Sequence, residues 1–304
     1  MDTRPINSQT LSSSVIAVPP LARDANLAIE RRQNERLVRY LEQGGVKTLL
    51  YGGNAVLGHV AISEYAELLK MLTEIVADDT LVVPSVGPAY GLMMDQATIL
   101  KDFGFPTAML LPSLDPSTPA GLASSLRALT DRMNQPAVLY LKYEGKLDVS
   151  TVRKLVDDGL VSWIKYAIVR TDPAEDNFLR ELVDVVDPRL IVSGIGEQPA
   201  ICHLNEFGLV SFTSGCVCVA PQKSMQMLAA LQKKDLTTAE SIRGAFKPLE
   251  DLRDEISPVR VLHAAVQLAE IADLGPISLP LERVDETLIP NIRAAALALR
   301  ENVD

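Results

Sequence analysis

One lysine stands where an apolar strand is predicted to end, and its neighbours would change its chemistry. Lys165 follows Trp163 and Ile164 and precedes Ala167 within the run 161–167. Burial among such side chains disfavours the ammonium form, and only the neutral amine is a nucleophile. A neutral lysine can attack a ketone and form a Schiff base whose iminium withdraws electrons from the adjacent carbon. The spacing alone leaves open a rim lysine with an apolar stem and a solvated ammonium.

A tyrosine lies near the end of the preceding predicted strand, one strand away from Lys165. The phenol of Tyr140 is predicted to move protons to and from a substrate oxygen or a carbinolamine. A buried structural tyrosine is the alternative that remains open.

Small residues after three other predicted strands would line the same site. Gly53 and Asn54 follow the second strand, and the backbone N–H groups of such a turn can face an anion, although a plain turn is the alternative. Similar short segments follow the seventh and eighth strands. The predicted substrate-binding residues are Gly53, Asn54, Ser193, Gly194, Val210 and Ser211.

The elements that must position these residues recur along the chain. Eight short apolar runs are each followed by a segment of helical length, which is typical of βα units and a parallel sheet. The predicted strands lie near 15–18, 48–51, 81–84, 108–111, 137–141, 161–165, 190–193 and 209–212. This rhythm predicts an α/β fold, a closed (β/α)8 TIM barrel whose site lies at the carboxyl ends of the strands. An open Rossmann-like sheet is the competitor, but the turn at 18–23 lacks its glycines.

The strand rhythm stops after about Lys233, while apolar stripes of helical period continue through 296–299. We therefore predict a barrel over 1–232 and a three-helix C-terminal extension over 233–304 that packs on it. Within the barrel, Thr118 and Asp172 each precede a proline, which predicts that each caps the start of a helix.

Composition limits the function classes. The 304 residues contain 29 Lys+Arg and 39 Asp+Glu, a net charge of −10, so the basic surface that nucleic acid or an anionic membrane requires is lacking. No apolar run is long enough to span a membrane. Three cysteines without zinc-type spacing favour reduced thiols in a cytoplasm. None of the three histidines ends a predicted strand, so we predict no metal site and no cofactor.

The combination of Lys165, Tyr140 and the turn at 52–54 resembles the dihydrodipicolinate synthase / N-acetylneuraminate lyase family of class I Schiff-base lyases. The segment 52–56 is similar to the family's Gly-Thr-Thr-Gly-Glu loop, and Ser-Leu-Pro at 278–280 resembles its C-terminal Leu-Arg-Leu-Pro stretch. The resemblance implies a TIM barrel with a helical extension and a homo-oligomer, either a dimer or a tetramer. It also implies a small 2-oxo acid such as pyruvate held as an imine on Lys165, with Tyr140 as the proton-transfer partner.

The sequence departs from the family pattern at several places. Gly53 and Asn54 replace the paired threonines, and Val56 replaces the glutamate. Ser113 or Leu114 stands where the synthase has a tyrosine that completes a neighbouring subunit's proton relay. The segment 141–145 replaces an Asn-x-Pro-x-Arg stretch that binds the second substrate. We therefore predict a lyase or aldolase of a 2-oxo acid. The alternatives are dihydrodipicolinate synthase proper, which joins pyruvate to aspartate semialdehyde, and a catalytically weak barrel that binds a 2-oxo acid.

Overall fold

A computed structural model describes residues 1–301, in which parallel strands form a barrel. Adjacent strands pair in the order β3-β2-β1-β9-β8-β7-β6-β5-β4. The strands are β1 (Ile16–Ala17), β2 (Thr48–Leu50), β3 (Leu81–Val83), β4 (Ser85–Val86), β5 (Met109–Leu110), β6 (Ala137–Leu141), β7 (Val161–Tyr166), β8 (Ile191–Ser193) and β9 (Ser211–Ser214). The predicted (β/α)8 barrel is confirmed.

The barrel closes through one interrupted strand. β3 pairs with β2 and β4 pairs with β5, and only Pro84 separates β3 from β4. A proline has no N–H to donate to a neighbouring strand, which divides the strand into two short segments. The carbonyl of Pro84 still accepts a hydrogen bond from the Met109 N–H at 2.8 Å. Counting β3 and β4 as one strand, residues 1–301 contain the eight strands that the sequence predicts.

Helices surround the barrel and continue beyond it. Helices α2 to α9 alternate with the strands, and α10 to α12 follow the last strand. The helices are α1 (Ser8–Ser12), α2 (Arg31–Gln43), α3 (Ile62–Ile75), α4 (Tyr90–Leu100), α5 (Pro119–Met133), α6 (Val149–Asp157), α7 (Asn177–Val185), α8 (Ala200–Glu206), α9 (Pro221–Gln232), α10 (Leu236–Glu255), α11 (Pro258–Leu268) and α12 (Ile289–Glu301). α10 contacts α9, α11 and α12.

The last three helices occupy the region predicted as a three-helix extension, whose residues 302–304 lie outside the described part of the chain. The division of the chain into two domains at residue 232 stays a prediction. No helix within residues 1–301 is both long and apolar enough to cross a membrane.

Two predicted helix starts have different outcomes. Thr118 caps α5 as expected, because its hydroxyl accepts the Gly121 N–H at 3.1 Å. The prediction that Asp172 caps the next such helix is wrong. Asp176 caps α7 instead and accepts the Leu179 N–H at 3.0 Å, while Asp172 accepts the Ala174 N–H at 3.0 Å in a turn. Contacts with other elements favour the later cap, since Asp176 also accepts hydrogen bonds from Tyr166 and Arg170.

Alternation along β7 sets the direction of its side chains. Successive residues of a strand point to opposite sides of the sheet, so Lys165 and Tyr166 diverge. The ring of Tyr166 lies on the helix side of the barrel, with its centroid 5.9 Å from that of His203 in α8. Lys165 therefore points into the barrel, one residue before β7 ends.

Candidate active site

The amine of Lys165 is buried against the ring of Tyr140. The two residues are register partners on β7 and β6, and the Lys165 Nζ lies 4.4 Å from the Tyr140 ring centroid. Lys165 is only 5% exposed. Burial, followed by the charges of Lys142 and Arg253, lowers the pKa of Lys165 from 10.5 to about 7. A substantial fraction of the amines is therefore neutral and nucleophilic at neutral pH.

Tyr140 carries its proton at neutral pH. Burial, and to a smaller extent Tyr143, raises the pKa of its phenol above the ordinary value of 10.0. The side chain is only partly buried, and its hydroxyl is not one of the fully enclosed polar atoms that lack a partner. This phenol can therefore donate a proton or a hydrogen bond to a ligand.

A cavity of about 740 Å³, which includes space open to solvent, reaches Tyr140 at the carboxyl ends of β4, β5 and β6. Helices α4 and α5 close its outer side. Its wall is predominantly apolar and includes Leu110, Leu111, Leu122, Leu126, Leu139 and Leu147. Lys142 and Lys146 also line it. Lys165 itself does not line this cavity, but its amine contacts the ring of Tyr140, and Tyr140 is one of the lining residues.

The turn after β2 presents unused backbone donors. Within residues 1–301, the N–H groups of Gly53, Asn54 and Ala55 donate no hydrogen bond to the protein. A Cβ on Gly53 would meet nothing within 4 Å, so the space over this turn is open. The Asn54 side chain donates to the Val18 carbonyl at 2.7 Å, which ties the turn to the end of β1. Such a turn can hold an anion.

Gly194 and Ser193 lie beside Lys165 in different ways. A Cβ on Gly194 would stand 2.7 Å from the Tyr166 carbonyl oxygen and 3.0 Å from the Lys165 Cγ, so a larger residue would displace the lysine stem. The Ser193 hydroxyl points towards the helices and shares a hydrogen bond of 2.8 Å with His203 Nδ1. Only the backbone of Ser193 thus approaches the mouth.

The structure does not bring Val210 and Ser211 to the mouth. The Val210 N–H donates to the carbonyl of Ile191, the first residue of β8, and the Ser211 hydroxyl donates to the Ser14 carbonyl before β1. Both residues therefore lie at the amino end of the barrel. The predicted strand over 209–212 is two residues earlier than β9, so the strand ends at Ser214 and not at Phe212.

Three ionisable residues near the mouth were missed by the sequence analysis. Glu197 follows β8, is fully buried, and accepts hydrogen bonds from Ser214 at 2.8 Å and Ser224 at 2.6 Å. Glu250 on α10 accepts the Glu197 N–H at 2.8 Å. Burial raises the pKa of both carboxyl groups. The third residue is Arg253, also on α10, whose charge acts on Lys165.

The rule that active sites lie at the carboxyl ends of the strands could have identified Glu197, because this residue ends the segment 193–197 at the end of β8. It could not have identified Glu250 and Arg253, because they belong to a helix outside the βα rhythm. Among residues 1–301, no group of three or more His, Cys, Asp or Glu side chains is arranged to hold a metal ion.

Comparisons with known proteins identify relatives over most of the chain. The model of the dihydrodipicolinate synthetase family matches residues 11–298. Dihydrodipicolinate synthase from Bacillus clausii is 21% identical, with a TM-score of 0.83 over 95% of this chain and 97% of that chain. The enzyme from Oceanobacillus iheyensis is 20% identical, with a TM-score of 0.82 over 95% and 97%.

Dihydrodipicolinate synthase from Thermotoga maritima is 18% identical, with a TM-score of 0.82 over 93% of this chain and 97% of that chain. At these identities the likeness to solved structures establishes the fold. No curated protein matches the sequence significantly.

Proposed function

The chain belongs to the dihydrodipicolinate synthetase family, and we propose that it is a class I lyase or aldolase that forms a Schiff base with a 2-oxo acid. Family membership supports a lyase or synthase activity. The observation that carries the finer proposal is the buried amine of Lys165, whose pKa of about 7 lies near neutrality, against the phenol of Tyr140. A perturbed lysine beside a proton donor is the arrangement that imine chemistry requires.

The proposed reaction begins when the neutral Lys165 amine attacks the C2 carbonyl of the 2-oxo acid. Tyr140 gives a proton to the carbonyl oxygen, the carbinolamine loses water, and a protonated imine remains. In the retro-aldol direction, the C3–C4 bond then breaks and its electron pair enters the enamine, while the C4 hydroxyl gives its proton to the Tyr140 phenolate and becomes a carbonyl. The enamine takes a proton at C3, and water releases the 2-oxo acid.

We place the fragment beyond C3 in the apolar cavity beside Tyr140. The leucines of its wall favour an alkyl or aryl group over a strongly hydrated one. The carboxylate lies at the opposite side, over the unused N–H groups of Gly53 and Asn54. Gly194 leaves room for the lysine stem between the two.

Borohydride trapping tests the proposal directly. The protein is incubated with pyruvate and with 2-oxo acids that carry apolar tails, reduced, digested and mapped by mass spectrometry. We expect an adduct on Lys165 that Lys165→Met removes. The matched control is Lys154→Met, an exposed lysine of α6 paired with Asp158, which should keep the adduct. If every acid of the panel leaves Lys165 unmodified, the Schiff-base mechanism is wrong.

One observation favours a second candidate, a barrel that binds a 2-oxo acid without turnover. Lys165 does not line the cavity and is nearly enclosed. In that case pyruvate would raise the melting temperature of the wild type and of Lys165→Ala equally, and no product would form.

Dihydrodipicolinate synthase activity proper is checked by supplying pyruvate with aspartate semialdehyde. The exposed Leu114 lies in the segment where that enzyme's relay tyrosine is expected, so we expect little condensation.

We also propose that the protein is a homo-oligomer located in the cytoplasm. Tyr90 and Leu114 are 57% and 72% exposed near the apolar cavity, and a second copy would cover such side chains. The cysteines within residues 1–301 are free thiols, which suits a reducing compartment. Light scattering after size exclusion should give a mass of two or four chains, and a monomer would contradict the assembly.

A further inference from the structure

Arg253 reaches the barrel mouth from the C-terminal helix α10. The position that a Cβ would take on Gly215, just after β9, lies 2.7 Å from Arg253 Nη2 and 3.0 Å from Asn54 Nδ2. The guanidinium and the turn after β2 thus converge on the same glycine. A side chain at Gly215 would push them apart, so the glycine permits their approach.

The guanidinium of Arg253 has no anionic partner in the described part of the chain. Its Nε donates to the Pro258 carbonyl at 3.2 Å, and its Nη1 contacts the sulfur of Cys216 at 3.6 Å, which is a weak acceptor. No hydrogen bond of Nη2 to residues 1–301 exists, and Nη2 is not among the fully enclosed unpaired atoms. One face of this cation therefore remains available to a ligand.

The carboxyl groups nearest in the same cluster do not neutralise Arg253. Glu197 and Glu250 act on its charge but form no ion pair with it. Burial is the first cause that raises the pKa of each, and Glu250 is raised further by Glu197. A partly enclosed arginine is normally paired with an anion, because an uncompensated charge away from water is costly. The missing anion is thus expected from outside the chain.

The hydrogen-bond donors of Arg253 and of the turn after β2 suit a carboxylate. Arginine presents a planar fork that matches the two oxygens of a carboxylate, and the N–H groups of Gly53, Asn54 and Ala55 are unused across the open space. Lys165 lies within the electrostatic reach of the same guanidinium. A carboxylate held here would bring the neighbouring carbonyl carbon towards the amine.

We propose that Arg253 binds the carboxylate of the 2-oxo acid substrate, together with the backbone N–H groups of Gly53 and Asn54. This inference rests on the proposed function and adds a residue from outside the barrel strands to its substrate site. Arg253 selects the acid over the corresponding neutral ketone. Arg253 also influences Lys165 directly, and that influence would act on every ketone alike. The two roles therefore differ in their dependence on the charge of the ligand.

The test compares trapping of pyruvate with trapping of pyruvamide, its neutral amide. In Arg253→Met, the efficiency of trapping pyruvate should fall about 100-fold, since a charge-assisted contact to the ligand is lost. Trapping of pyruvamide should stay within about threefold of the wild type if the contact is to the carboxylate alone. Arg253→Lys should recover part of the pyruvate efficiency. Arg243→Met, which removes a surface arginine of α10 paired with Glu240, should behave as the wild type.

Three results would overturn the inference or separate it from the proposed function. An equal loss with both ligands assigns Arg253 to the amine or to the fold, and unchanged trapping of pyruvate removes it from the site. Circular dichroism of each variant, with Arg253→Gln as a second neutral change, identifies misfolding. If the wild type traps neither ligand nor any other 2-oxo acid of the panel, the Schiff-base proposal fails by itself. Thermal stabilisation by pyruvate then tests Arg253 alone: Arg253→Met must abolish it and Arg243→Met must keep it.

Discussion

The two sides of the barrel mouth differ in the chemistry that they expose. At the ends of β7, β8 and β9, a buried amine, a guanidinium and two carboxyl groups lie within one network. At the ends of β4, β5 and β6, leucines line a cavity. Tyr140 on β6 belongs to both sides, because its ring contacts the amine and it is one of the residues that line the cavity. In the proposed reaction, this difference separates bond making on one side from recognition of an apolar group on the other.

The polar side carries a cost in stability that the apolar side does not. A lysine pKa lowered from 10.5 to about 7 corresponds to about 5 kcal/mol against the ammonium form. Desolvation is the main cause, and the nearby cations add to it. The leucines across the mouth contribute favourable burial in the ordinary way. Reactivity at Lys165 is thus obtained at the expense of folding free energy, and the expected effects of substitutions follow from this asymmetry.

The largest expected effect is on turnover of a 2-oxo acid substrate. Lys165→Met should lower kcat by about 10³-fold or more, because the variant has no amine to form the imine. Steady-state release of the carbonyl product measures the loss, with Lys154→Met as the control at wild-type rate. Turnover that persists in Lys165→Met would contradict the proposal that the polar side supplies the reactive amine.

The same substitution should stabilise the protein. The pKa of Lys165 in the folded state, about 7, lies below its ordinary value of 10.5, so the unfolded chain binds more protons between these pH values. The free energy of unfolding of the wild type therefore increases, because of this residue, as pH rises from 7 to 10.5. Lys165→Met should be more stable by up to about 5 kcal/mol below pH 7, with the advantage disappearing towards pH 10.5. Denaturant titrations at several pH values measure it, and a constant difference would contradict the buried amine.

Tyr140→Phe should separate the effect of the Tyr140 phenol from that of its ring. Loss of the phenol proton should lower turnover about 10²- to 10³-fold, since general acid–base steps typically contribute that much. The ring remains, so the lysine environment persists and borohydride should still label Lys165 with pyruvate, but more slowly, because the phenol also protonates the carbonyl oxygen during imine formation. Mass spectrometry and kinetics on the same sample compare the two. An unchanged rate of trapping would contradict the proposed proton transfer from Tyr140 to the carbonyl oxygen.

A change in the cavity wall should affect recognition alone. Leu122→Ser on α5 should weaken binding of 2-oxo acids with apolar tails by about 10-fold or more, through loss of apolar contact. Trapping of pyruvate, which has no tail, should be unchanged. Leu288→Ser, a partly buried leucine away from the cavity, is the matched control. Equal weakening of the binding of pyruvate and of the longer acids would indicate that the two sides of the mouth form a single binding site.

The smallest expected effect is the pH dependence of trapping. Below pH 7 the rate should fall about tenfold per pH unit as Lys165 becomes protonated, and above pH 7 it should level off. Lys142 is the largest charged contributor to the lowered pKa. Lys142→Met should therefore move the midpoint to higher pH, while Lys154→Met should not. A midpoint near 10 in the wild type would mean that the polar side does not perturb the amine.

The sequence predicted the barrel and the neighbouring positions of Tyr140 and Lys165 because both depend on local patterns. Apolar runs locate β6 and β7, and alternation within them directs Tyr140 and Lys165 to one side of the sheet. Val210 and Ser211 show where the same reasoning fails. An apolar start at Leu209 suggests an earlier strand, but pairing with β1 and β8 places β9 two residues later. Strand register depends on neighbours that are distant in sequence, so a single strand's composition does not fix it.

Arg253 and Glu250 lay beyond the reach of sequence patterns for a different reason. Both belong to a helix with an ordinary mixture of apolar and charged residues, and nothing in its periodicity indicates which residues face the barrel mouth. Their position depends on how α10 packs against α9 and on the close approach that Gly196 allows. A Cβ on Gly196 would stand 2.1 Å from Glu250 Oε1, and its φ of 98° favours glycine.

The location of Arg253 on α10 has a consequence for the evolution of such a protein. The proposed carboxylate contact and the proposed imine-forming amine sit on separate segments of the chain, more than eighty residues apart. Recombination that exchanges the C-terminal helices between related genes would therefore alter ligand preference while leaving every strand of the barrel intact. New specificities become accessible through the periphery of the fold, where mutation is least harmful to the core.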